Sequence, residues 1–212
     1  MTDGPVTPPP PGGAPGAPAS LVDRAKNILT SPATEWARID GESASVGGLI
    51  TGYALILAAI APIAMLLGLF LAGAGSLLTA APGAFIKILL IVYLISLGTV
   101  VLLGFIIDLL APNLGGTKNG VQAMKLAVYA GTAFWVASLV LIFPDLWFLW
   151  LIIGVGYGGY LLWLGLPVLM KVPADKAPVY VGAAVGAWVV LFLILQQIGF
   201  RMMWSGFYYP GL

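Results

Sequence analysis

The sequence predicts an all-α fold: a polytopic transmembrane helix bundle of five spans. Three observations carry the prediction. Of 212 residues, 60% are hydrophobic and only 8% are charged, against about 25% charged in a soluble domain. So few charges cannot cover a water-facing surface. Five apolar runs each reach or exceed the ~20 residues that cross ~30 Å of hydrocarbon at 1.5 Å per residue. The basic residues alternate between loops in the pattern of a multi-pass protein.

Composition also excludes chemistry. The chain has no cysteine and no histidine, which removes disulfides, thiolate nucleophiles, Ser-His-Asp triads, HExxH zinc sites and haem ligation by His. A net charge of +1 gives no reason to expect nucleic acid as a partner. The sequence predicts no enzyme and calls for no cofactor.

Residues 1–19, MTDGPVTPPPPGGAPGAPA, hold Pro, Gly, Ala and Thr with one charge, Asp3. Such a segment buries too little to pack, so a disordered tail with polyproline II character is expected. It lacks the basic start and apolar core of a signal peptide. No basic residue flanks the prolines, which favours a spacer over an SH3-type ligand.

Residues 20–46 read as short amphipathic interfacial helices. Leu21, Ala25, Ile28 and Leu29 make one apolar stripe, with Asp23, Arg24 and Lys26 off it. Ser31-Pro32 reads as an N-cap and first helical position, starting a second piece with Ala33, Trp36 and Ile39 on one face. Because this segment abuts the first span, it is expected to lie flat in the headgroup region. The alternative is docking on a partner protein.

The spans follow at about 47–71, 84–110, 121–143, 145–170 and 178–203, within a domain over 47–203. Pro62 is expected to kink the first, and Pro167, with Pro173, to bend the end of the fourth. Short linkers make neighbouring helices antiparallel. Gly48-xxx-Gly52, Gly154-xxx-Gly158 and Gly182-xxx-Gly186 suggest tight internal packing. The end, 204–212, is an aromatic collar.

Orientation follows from the basic residues. Arg24, Lys26, Arg38, Lys118, Lys125, Lys171 and Lys176 fall on one side, leaving Lys87 and Arg201 on the other. The rule that cytoplasmic loops are basic then puts the N-terminus in the cytoplasm and the C-terminus outside. Trp147 and Trp150 would sit at the outer interface, Trp163 near the inner one.

Most polar side chains able to do specific work lie in or near 105–130, FIIDLLAPNLGGTKNGVQAMKLAVYA. Asp108 ends span two, where its sign opposes the helix dipole, and Lys125 opens span three, also with the wrong sign. The expectation is that Asp108 pairs with Lys125, or with Lys118. A proton or cation role for Asp108 is the alternative. It sits ~35 Å along its helix, at the interface and not at mid-depth. Asp145 follows Pro144, where its sign suits a helix start. Gly115, Gly116 and Lys118, with Lys171 and Lys176 of the next basic turn, form a candidate interaction or headgroup surface. Mid-span polarity is limited mainly to Ser96, Thr99, Thr132, Ser138, Tyr157 and Tyr160.

Three segments, RAKNILTSPATEWARID, DLLAPNLGGTKNGVQAMKLAVYA and YLLWLGLPVLMKVPADKAPVY, resemble the Yip1 domain family in its bacterial branch. The resemblance covers about residues 21–200. It implies a five-span membrane protein with a cytoplasmic N-terminus and supplies no catalytic residues. Eukaryotic members serve membrane traffic by binding prenylated Rab GTPases, but this tail carries no recognisable GTPase-binding element. The expectation is a non-enzymatic inner-membrane protein that organises or regulates membrane components through its cytoplasmic face. Its partners would be lipids and other membrane proteins. The alternative is a small transporter or lipid-handling protein using the bundle interior.

Overall fold

The structure, a computed structural model, describes residues 20–73 and 75–208, without the side chains of 77–79 and 203–208. The tail 1–19 lies outside the described residues, as do 209–212, so the expectations for the tail and the aromatic collar are not addressed by it.

Helix α1, Leu21–Thr30, starts at Ser20, whose hydroxyl accepts from Asp23 N at 3.2 Å. Helix α2, Pro32–Gly41, follows with Pro32 in its first turn; Ser31 holds the N-cap position but its side chain makes no capping bond. The two form a hairpin. Helix α3, Val46–Leu71, is the first span and is not uniform. Ile50–Ala54 is π-helical, and the helix lapses at Ala59 before resuming over Ile60–Leu71. Pro62 cannot donate to Ala58, so the lapse falls where the ladder has lost a bond.

A short α4, Gly75–Ala80, leads to α5, Pro82–Leu110, the second span. A 3-10 turn, Ala111–Leu114, ends it at Gly115, whose φ of 77° suits a residue without a Cβ. Helix α6, Gly120–Ala137, is capped by Asn119, whose side chain accepts from Gln122 N at 3.1 Å. It runs into a 3-10 turn, Ser138–Ile142. Helix α7, Trp147–Leu169, contains Pro167 in its last turn, and α8, Ala177–Tyr208, closes the bundle. Five of these segments are long and apolar enough to cross a membrane, and no strand occurs among the described residues. The expected span limits agree with them to within a few residues.

The bundle is built around α6. Every residue from Ala123 to Trp135 is buried, a pattern of a helix enclosed on all sides. Its Ala and Gly positions let neighbours come close. A Cβ on Gly154 of α7 would stand 2.8 Å from Phe134 Cδ2, and one on Gly165 only 2.4 Å from Leu126 Cδ1. By contrast α8 buries few side chains and shows Val179, Val190, Leu193 and Ile194 outward, as a lipid-facing helix would.

The paired small residues divide. Gly154 is a close-packing position, but Gly52, Gly182 and Gly186 face open space and Gly48 meets only its own cap, Ser45. The expectation of tight internal packing at the first and third pairs is therefore corrected. The sharper approaches lie elsewhere: at Gly68 a Cβ would stand 2.4 Å from the main-chain oxygen of Leu141.

A second correction concerns the N-terminal segment. Ile28, Trp36 and Ile39 are fully buried against the bundle. Tyr157 of α7 donates to the Leu29 carbonyl at 2.6 Å. The apolar stripe covers the chain's own bundle, not headgroups, because α6 and α7 offer it a larger apolar surface with matching polar groups. Ala33, placed on the inward face from sequence, is exposed. Trp150 also turns inward, donating to Phe134 O at 3.2 Å, while Trp147 and Trp163 stay exposed.

Candidate functional site

The polar groups converge at the end of the bundle that carries the hairpin. Arg24 projects from α1 between α2 and α6 and is 2% exposed. Its Nη1 donates to Glu35 Oε1 at 2.5 Å, and its Nη2 reaches the Glu42 carboxylate. The guanidinium carbon lies 5.4 Å from the centre of the Tyr129 ring, a cation–π distance. Burial acts to lower the Arg24 pKa, but the Glu42 hydrogen bond and the Glu42 and Glu35 charges outweigh it, holding it above the usual guanidinium value. Arg38 also approaches Glu42, at 3.5 Å, but half-exposed, so this contact is worth little.

Lys125 enters from α6. Its ammonium donates to the main-chain oxygens of Ile39, at 2.9 Å, and Glu42, at 2.5 Å. These carbonyls lie at the C-terminal end of α2, where a cation complements the dipole. The expected Asp108–Lys125 pair is therefore not formed, because Lys125 is engaged by the hairpin. Lys118 makes no ion pair with Asp108 either. Asp108 instead lies beside the start of α6, its Oδ2 3.9 Å from where a Gly120 Cβ would be, and its Oδ1 is buried without a hydrogen-bond partner. A carboxylate beside a helix N-terminus has the favourable sign.

Asp40 completes the junction. It accepts from Gln122 of α6 at 3.1 Å and from Lys171 at 2.7 Å. Lys171, at φ 54°, also donates to Val168 O, capping α7. Next to it, Thr117 N bonds Met170 O at 2.7 Å, which joins the loop after α5 to the loop after α7. Gly115 lies under the Lys176 side chain, and Gly116 packs on Met170 O and Val172. The candidate surface residues are thus brought together, except that Lys171 is diverted to Asp40. Lys118 and Lys176 remain exposed.

Asp145 sits in the turn before α7 and makes no capping bond. Within the spans, most hydroxyls are spent internally. Tyr53 bonds Thr132 at 2.8 Å, Ser96 accepts from Trp135 at 2.8 Å, Thr99 donates to Ile95 O, and Ser138 to Trp135 O. Tyr180, on α8, donates to Ile107 O.

Reasoning from sequence missed the Arg24–Glu35–Glu42 cluster. A signal was present: Arg24 is three residues after Leu21 and four before Ile28, on the edge of the apolar stripe. Glu35 is likewise four residues before Ile39.

The model of the Yip1 domain matches residues 26–201. "Inner membrane protein YohC" of Escherichia coli K12 is 24% identical over 188 residues, covering 82% of this chain and 96% of that protein. The protein of the same name from Escherichia coli O6:H1 matches equally. No solved structure matches.

Proposed function

The chain belongs to the Yip1 domain family, and from that premise we propose that it is a non-enzymatic protein of a bacterial inner membrane that organises other membrane components. The inner membrane is inferred from the name of the E. coli relative. Recognition takes place at the hairpin end, which faces the cytoplasm because seven of the nine basic residues gather there. The C-terminus then lies outside.

The observation that carries this reading is the contrast between interior and end. Inside, Tyr53 with Thr132 and Ser96 with Trp135 bond across neighbouring helices, and Thr99 and Ser138 bond carbonyls one turn back in their own helices, which leaves no polar row for an ion to follow. At the end, Lys118 and Lys176 stand exposed on a rigid double loop that Thr117 fastens to Met170. Asp108, at the interface, supports the end of the bundle and does not carry ions through it.

One observation favours the second reading, lipid handling. A side pocket of about 170 Å³ opens among Ala61, Met65, Ser96, Phe134, Trp150 and Gln196. Its lining suits an acyl chain.

Purification in a gentle detergent from native membranes, followed by mass spectrometry, separates the two. The organiser reading expects a near-stoichiometric protein partner that is lost from Lys118→Glu/Lys176→Glu. A lone protein that speeds lipid movement in reconstituted vesicles supports the alternative.

A further inference from the structure

A cleft of about 270 Å³ opens between α1, the 43–45 link and the first turns of α3, separate from the basic double loop. Its polar lining comprises Arg24, Glu42, Ser43, Ser45, Tyr53 and Tyr129. Three features of this cleft point to one kind of occupant.

The first is charge. Arg24 is already held by Glu35 and Glu42, so the cleft has no positive charge to spare, and the Glu42 carboxylate is the charged group it offers. An anionic headgroup needs surplus positive charge; an ammonium-bearing zwitterion needs a carboxylate. The second is an unspent donor. Tyr129 is 9% exposed, lines the cleft, and its hydroxyl makes no hydrogen bond to the described residues. The hydroxyl is therefore free to donate to an occupant of the cleft, whereas that of its neighbour Tyr53 is bonded to Thr132. The third is depth. The Tyr129 ring lies 5.0 Å from that of Tyr53, which sets it beside the first turns of α3. Val46 begins the span, and Ser45 takes only one of its first amides, that of Gly48 at 3.0 Å. Free N–H groups at a helix start suit a phosphate. Below them, Gly52 leaves open space and Ile56 faces outward.

We propose that this cleft holds one glycerophospholipid with a zwitterionic headgroup bearing a primary ammonium. The ammonium meets Glu42, the phosphate meets the start of α3 with Ser43 and Ser45, and Tyr129 donates to a glycerol ester carbonyl. One acyl chain leaves past Gly52 into the hydrocarbon. This proposal does not rest on the organiser reading, since it uses neither Lys118 nor Lys176.

The test uses the full chain, stripped of lipid in detergent, and native mass spectrometry against three lipids of identical acyl chains. These are phosphatidylethanolamine, phosphatidylcholine and phosphatidylglycerol. Phosphatidylethanolamine is expected to bind about tenfold tighter than phosphatidylglycerol, the worth of one charge-assisted hydrogen bond. Phosphatidylcholine falls below it because a quaternary ammonium cannot donate. Gly52→Leu places a side chain where nothing now stands within 4 Å and abolishes the preference. Tyr129→Phe weakens phosphatidylethanolamine severalfold and removes only a hydroxyl, so it serves even if Gly52→Leu misfolds. Equal binding of the three lipids, a preference for phosphatidylglycerol, or phosphatidylethanolamine binding unmoved by Tyr129→Phe overturns the proposal.

Discussion

Lys125 Nζ donates to the main-chain oxygen of Ile39 across 2.9 Å, fastening the third span to the last turn of α2. The ammonium also bonds the Glu42 carbonyl at 2.5 Å, while the Ile39 carbonyl accepts in addition from Glu42 N. Replacing it with Met keeps the length of the side chain and removes both bonds. Lys125→Met should loosen the hairpin by about 1–3 kcal/mol, the cost of leaving a buried acceptor unpaired. A cysteine placed at Ile28, which is fully buried, reads this directly. Maleimide labelling should be slow in the parent and fast in Lys125→Met; equal rates would show that the hairpin is held by packing alone.

The Arg24 cluster should behave as a unit. Arg24→Ala strands the Glu35 and Glu42 carboxylates near the base of the hairpin and should cost about 3–5 kcal/mol, as for a broken buried pair. Arg24→Met with Glu35→Met should recover much of the loss, since a well-packed apolar pair often matches a buried ionic one. Thermal unfolding in detergent measures both. The guanidinium pKa is raised on folding, so its stabilising contribution is present below its unfolded value and is lost only as pH rises through the higher folded one. Mild alkali should therefore leave the Arg24 contribution intact.

Close approaches separate the glycines. Gly68→Ala meets a main-chain oxygen and Gly165→Ala meets Trp36 and Leu126, so each should destabilise by about 1–3 kcal/mol through overpacking. Gly182→Ala and Gly186→Ala meet nothing and should leave the melting temperature of the purified protein unchanged. A large loss at Gly182 or Gly186 would mean that α8 packs against something other than lipid.

Asp108 and Lys125 should not rescue each other. Lys125 is committed to the hairpin and Asp108 lies beside Gly120. The exchange Asp108→Lys with Lys125→Asp should express worse than either single variant, as the two losses add. Recovery to the parent level would restore the pair inferred from sequence.

What could be read from the sequence follows from which forces leave a periodic trace. Span number and limits show as long apolar runs, so 84–110 and 121–143 fell close to α5 and α6. The end of α5 at Gly115 and the N-cap at Asn119 are marked by residue type. Partners across 80 or more residues leave no such trace. Lys125 was equally free, on sequence grounds, to meet Asp108 or the hairpin. Its choice depended on α2 lying against α6, which the hairpin's modest apolar stripe did not reveal. Trp36 reads the same whether it faces a headgroup or a bundle. Gly182-xxx-Gly186 and Gly154-xxx-Gly158 share a spacing, yet of Gly154, Gly182 and Gly186 only Gly154 has a neighbour to meet.

The measurement that tests the central claim most directly is photo-crosslinking in living cells. A photoreactive amino acid is placed in turn at Lys118, at Lys176 and at the lipid-facing Val190, which is 57% exposed. The account predicts a discrete protein adduct of the same mass from positions 118 and 176 and none from 190. Lipid adducts alone at all three positions would contradict an organising role at the hairpin end.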